Sequence, residues 1–150
     1  MSALIACGTL IITIFGIGLT CTTISSISLE GTNLWIKKTL PVSEKEIFKA
    51  KIISNLILTI PAAILSNIIF YMALKFDVIY LMLNIIITIV FSVLNAVLGL
   101  LINVYFPKLD WSNPTVVVKQ SAAVFIGLVV TFASIALPIA VFLLLKVENI

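Results

Sequence analysis

Histidine and arginine are absent from this chain of 150 residues, and only 10% of its residues are charged. Without histidine, and with no Cys-x-x-Cys pair, a zinc site and imidazole-based acid–base chemistry are excluded. The two cysteines, Cys7 and Cys21, fall in one apolar run. On a helix they would stand about 21 Å apart at 1.5 Å per residue, so they do not pair and read as small buried residues. No charged residue falls inside the long apolar runs, whereas proton pumps, ion-coupled carriers and voltage sensors place some there. Serines are plentiful, but without a base or paired carboxylates they do not assemble an intramembrane hydrolase. The Gly-x-x-x-x-Gly-Lys-[Ser/Thr] phosphate loop is missing as well, so the chain reads as no enzyme and as needing no cofactor or metal; any nucleotide energy comes from another chain.

What is abundant is hydrocarbon. Hydrophobic residues make up 62% of the chain and the mean hydropathy is +1.31, which no ordinary water-soluble domain matches. The expected fold is all-α, a polytopic transmembrane bundle forming a single domain over 1–150. Four spans of about 20 to 25 residues fill this length, at 2–29, 52–74, 78–107 and 120–145. The first run is too long, and too lacking in an initial positive charge, to be a signal peptide. No Pro/Gly/Ser linker and no internal repeat interrupts the pattern.

Each span carries a stripe of small or polar side chains at helical spacing, the usual mark of a face that packs on another membrane helix. In the first span the stripe is Thr9, Thr13, Gly16, Thr20 and Thr23; in the second, Asn55, Thr59, Ala62 and Ser66, with Pro61 expected to kink the helix. Asn84, Thr88, Ser92, Asn95, Gly99 and Asn103 form the clearest stripe, read either as interhelical packing or as a face toward a substrate path. Ala123, Gly127, Thr131, Ser134 and Pro138 mark the fourth. Lys75-Phe76-Asp77 is too short to be anything but a turn between antiparallel neighbours.

Eight of the fifteen charged residues gather between Glu30 and Lys51, a stretch that must lie in water or at a membrane surface. Wound as a helix over 33–40, Trp35, Ile36, Thr39 and Leu40 share one side, and Leu34, Lys37 and Lys38 the other. That is an interfacial helix, with Trp35 at headgroup depth, the lysines toward anionic lipid and Leu34 as an apolar residue on the wet side. Pro41 ends it. Ser43 and Glu46 then form a capping box for the next helix. In the later loop, Trp111 sits in a proline-bounded turn between Pro107 and Pro114 and reads as a second interface anchor.

Two of these stretches resemble a known family. Glu30-Gly31-Thr32, then Thr39-Leu40-Pro41-Val42-Ser43, then Glu46-Ile47 and Lys51 resembles the cytoplasmic loop of ABC type-2 exporter permeases. Phe106-Pro107-Lys108-Leu109-Asp110-Trp111-Ser112-Asn113-Pro114, followed by Val118-Lys119-Gln120-Ser121, is similar to a loop in a bacterial branch of such exporters. The resemblance implies a bacterial plasma-membrane permease component, partnered by an ABC ATPase subunit that docks on 30–41. In that setting Gly31 turns the chain out of the first span, and Glu30 offers its carboxylate to a basic residue of the ATPase. A family core has six spans; this chain resembles spans two to five, which implies a partial chain whose partners include further permease helices or a second permease copy. Leu29 stands where many relatives have a basic residue. The alternative is a small non-transporting accessory or immunity-type membrane protein whose lysine-rich loop holds to the lipid bilayer.

The net charge of +3 comes from lysine alone, and the lysines lie in loops, so their meaning is topological and no nucleic-acid partner is expected. Five lysines between 30 and 51, with Lys108 and Lys119, oppose Lys75 and Lys146. Both termini should therefore face outward. Cysteines placed at 76 and 112 test this: in intact cells an impermeant thiol reagent should label 76 and spare 112, and the reverse pattern inverts the topology.

Overall fold

The computed structural model describes residues 2–33, 39 and 41–147, with side chains for 2–31, 39, 41–118 and 121–136. The expected interfacial helix at 33–40 falls almost wholly outside this set, and with it Leu34, Trp35, Lys37 and Lys38. The described chain is all-helical, and four of its segments are long and apolar enough to cross a membrane. It is a multi-pass membrane protein. In chain order the helices are α1 (Ser2–Leu19), α2 (Glu44–Leu74), α3 (Val78–Tyr105), the short α4 (Pro114–Gln120) and α5 (Ala122–Val147).

The first span is not one helix from 2 to 29. After Leu19 the chain breaks into two short 3-10 helices, Thr22–Ile24 and Ser28–Asn33. Six of the nine residues from Thr20 to Ser28 are serine or threonine, whose hydroxyls compete for backbone groups and weaken the helix. Thr20 Oγ1 bonds the Gly16 carbonyl at 3.0 Å, and Ser26 Oγ bonds the Thr23 carbonyl at 3.0 Å.

The second span starts earlier than 52. Ser43 caps it with both halves of the capping box in place: its Oγ accepts from the Glu46 amide at 3.4 Å, and its own amide donates to Glu46 Oε2 at 3.0 Å. At 31 residues α2 is about 46 Å long, so its charged first two turns stand clear of a hydrocarbon layer about 30 Å thick. Pro61 lies inside α2 on its exposed side, and the helix runs through it. Lys75 ends α2 in the left-handed conformation, its amide bonded to Tyr71 O at 2.9 Å. Phe76 tucks edge-on against Tyr71 and is 4% exposed, so a topology probe at this turn belongs at the exposed Asp77 instead. α3 ends at Tyr105, before 107. The fourth span is interrupted: Asn113 caps α4 over Pro114, the chain extends at Ser121, and α5 restarts with Ser121 Oγ accepting from the Val124 amide.

Inside and outside are exchanged relative to a water-soluble protein. Among the described residues fifteen buried side chains are polar and ten are apolar, while Leu4, Ile57, Ile79 and Phe125 are each at least 70% exposed. Such an exterior suits acyl chains, and the polar interior holds the helices together. α2 and α3 form the hairpin, with Asn55, Thr59, Ala63 and Asn67 buried on every fourth residue of α2. Ala62 and Ser66, expected on this face, are displaced from it because the contact follows the i+4 ridge. α1 runs parallel to α3, pairing Ala6 and Thr9 with Asn84, and Ile17 with Asn95. Its buried face is Ala6, Thr9, Thr13 and Ile17, with Gly16 and Thr20 exposed.

Close approaches occur at glycine. A Cβ on Gly99 would lie 2.6 Å from Thr23 Oγ1, 2.7 Å from Cys21 Sγ and 2.8 Å from Ile24 Cγ1, whereas one on Gly16 would meet nothing within 4 Å. Gly99→Ala should therefore cost about 1–3 kcal/mol of overpacking, and Gly16→Ala, inside α1 and in open space, should stabilise by up to about 1 kcal/mol. Thermal unfolding in detergent separates the two, and equal midpoints would mean the segment 21–24 does not pack on α3 as described.

Candidate functional site

At one end of the bundle, opposite the Lys75 turn, the irregular segment 20–31 is bound by side chains from three directions. Backbone outside a helix at this depth needs partners from the protein. Asn55 of α2 supplies the first: its Oδ1 accepts from both the amide and the hydroxyl of Thr22, each at 2.9 Å. Asn103 of α3 supplies the second: its Oδ1 accepts from the amides of Ile27 at 2.7 Å and Ser28 at 3.1 Å, and its Nδ2 donates to Ser28 Oγ at 2.7 Å. Between them Thr23 Oγ1 donates to Ala96 O at 2.8 Å.

Ser28 is the hub. It is fully buried, its Oγ also accepts from the Lys108 amide at 3.0 Å, and its carbonyl accepts from Trp111 Nε1 at 2.8 Å. Gly31 adopts φ +51° and ψ −132°, a conformation that any side chain would strain, and a Cβ there would lie 3.0–3.2 Å from the Trp111 indole. The loop after α3 is thus the third direction, and α2 contributes a second residue. Lys51 Nζ donates to the Ser26 carbonyl at 2.7 Å and ion-pairs with Glu30. Both side chains of that pair are largely shielded, at 13% and 15% exposure, so it is screened less than a surface pair. Beside it a groove of about 470 Å³ has apolar walls from Ile27, Ile47, Phe48, Val104 and Leu109.

The residues singled out from sequence distribute as follows. Glu30 and Gly31 meet Lys51 and Trp111 in this knot; Glu30 is engaged within the chain rather than presented outward. Trp111 is half-buried and spends its N–H on Ser28, so it anchors one loop to the other as well as sitting at the bundle end. Pro41, Ser43 and Glu46 are exposed at the foot of α2. The stripe Asn84, Thr88, Ser92, Asn95, Gly99 and Asn103 is buried along its whole length. Asn95 links three elements, donating to Ile17 O at 3.3 Å and accepting from Thr131 Oγ1 at 3.4 Å, while Cys21 Sγ reaches its carbonyl at 3.4 Å. Ser28 and Asn67 were not singled out. Asn67 was readable from the four-residue spacing that begins at Asn55; Ser28 carries no sequence signal, being one hydroxyl among six.

The chain matches no family model, no curated protein and no solved structure. The class defined by its own features is a polytopic helical membrane protein with a broken first span and two loops knotted at one end.

The knot makes a graded expectation. Asn103→Leu strands the amides of Ile27 and Ser28, at about 1–3 kcal/mol each, whereas Trp111→Phe forgoes one neutral hydrogen bond, about 0.5–1.5 kcal/mol, and the indole edge that faces Gly31. Unfolding midpoints should fall in that order, and an Asn103→Leu protein as stable as Trp111→Phe would show that Ile27 and Ser28 find other acceptors.

Proposed function

We propose that this chain is the membrane-spanning permease component of an ABC-type exporter, coupling ATP hydrolysis by a separate ATPase subunit to substrate export. The observation that carries the reading is the meeting of the two stretches that separately resemble that family. Glu30-Gly31 and Lys108 to Trp111 are about eighty residues apart in the chain, yet the Trp111 indole lies on Gly31 and bonds Ser28. The knot also suits the mechanical task. A load applied to the loop beyond Gly31 is delivered to α2 through Lys51 and to α3 through Asn103, rather than lost in slack backbone.

In this reading the knotted end faces the cytoplasm, both termini lie outside, and residues 30–41 meet the ATPase. The Glu30–Lys51 pair positions the loop, a role that replaces a direct bond from Glu30 to the partner. Leu34, flanked by Lys37 and Lys38, is the apolar anchor that a docking helix inserts into a partner groove.

The test is co-expression with a candidate ABC ATPase subunit and purification through a tag on either subunit. Leu34→Asp should abolish co-purification and transport-coupled ATP hydrolysis with membrane insertion intact. The double variant Lys37→Gln, Lys38→Gln should retain the complex while weakening association with anionic lipid. A complex indifferent to Leu34→Asp would favour the accessory protein held to lipid.

A further inference from the structure

We propose that the interface between α2 and α3 holds one internal water molecule, bound to the side-chain carbonyl of Asn67. Asn67 is fully buried. Its Nδ2 donates to Ala63 O at 2.9 Å and reaches Thr88 Oγ1 at 3.4 Å, but among the described residues its Oδ1 receives no hydrogen bond. Exchanging the amide's oxygen and nitrogen does not relieve this, because the oxygen would then face the Ala63 carbonyl, acceptor against acceptor.

The hydroxyls of the seam have no proton to give. Beside Asn67, Thr88 donates to Asn84 O at 2.8 Å; farther along, Ser92 donates to Thr88 O at 2.8 Å and Thr59 to Asn55 O at 3.0 Å. Asn84 Nδ2 is directed to α1, at 3.1 Å from Ala6 O and 3.3 Å from Thr9 Oγ1. Each hydroxyl proton is thus spent on its own helix, and what faces the seam is lone pairs. An unpaired carbonyl in such surroundings is costly to keep.

The occupant must therefore bring protons. An anion would meet only acceptors. A cation would find no counter-charge, since residues 52–74 and 79–105 contain no ionisable acid except tyrosine, and burying an uncompensated charge is prohibitive. A neutral molecule with two donors fits: water donates one proton to Asn67 Oδ1 and the other to a hydroxyl oxygen of the seam, and bound waters of this kind join buried polar groups. With Asn67 and Thr88 both fully buried, the molecule must be small.

The experiment is solution NMR of the full chain in lipid nanodiscs, with the Asn67 side-chain amide assigned and cross-relaxation to water measured. A direct dipolar cross-peak from water to the Asn67 Nδ2 protons, persisting longer than those of surface amides, is expected. Its absence in the unsubstituted protein overturns the proposal, with no variant needed. Asn67→Leu should lose the water signal at the neighbouring Thr88 amide and lower the unfolding midpoint. A water signal that survives at Thr88 in Asn67→Leu would equally overturn the assignment.

Discussion

Where α1 stops, the backbone still has to be hydrogen-bonded, because hydrocarbon offers nothing to an exposed N–H. Two asparagines meet that demand. Asn55 and Asn103 give their carbonyl oxygens to the amides of Thr22, Ile27 and Ser28, taking the place of the helical carbonyls that the break removes. Remove either and part of the segment from 20 to 31 loses the acceptor that satisfies its backbone. The close packing of Cys21, Thr23 and Ile24 on Gly99, the burial of Ser28 and the placement of Gly31 against Trp111 all depend on that substitution of side chain for main chain.

The same economy explains the interior. In a lipid environment apolar side chains gain nothing by turning inward, so cohesion comes from close contact and hydrogen bonds between helices. The buried asparagines reach across helices, to Thr22, Thr88, Ala6, Ile17 and Ser28. The threonines and serines instead mostly satisfy themselves on the preceding turn, as Thr13, Thr59, Thr88 and Ser92 do. Amides, with two donors and an acceptor, are the long-range glue; hydroxyls are small fillers that let helices approach. The imbalance this leaves is concentrated at Asn67.

A functional consequence follows for the end of the bundle where the loops meet. Segment 26–31 is tied to α2 by Lys51, to α3 by Asn103 and to the following loop by Lys108 and Trp111. These tethers converge within a few residues of the charged stretch that the proposed ATPase would engage, so displacement there moves helices rather than a slack linker. In the proposed reading, that is what a coupling element requires.

The membrane class, the number of long apolar segments, the hairpin at Lys75–Asp77 and the cap at Ser43 are legible in residue order alone, because each follows from local composition, spacing or charge. The burial of Asn84, Thr88, Ser92, Asn95, Gly99 and Asn103 on one face was equally legible, since helical period alone puts them there. Tertiary structure decided the rest. An uncharged run of 28 residues reads as a continuous helix until Asn55 and Asn103, from other spans, are seen to offer its backbone an alternative. Glu30 reads as a carboxylate offered to another subunit because Lys51 lies two turns inside the next helix, a proximity that only the return of the chain creates. Trp111 read as a lipid anchor for the same reason. Hydropathy reports where a side chain prefers to be, not which distant partner it will meet, and at this bundle's end the partners are what set the structure.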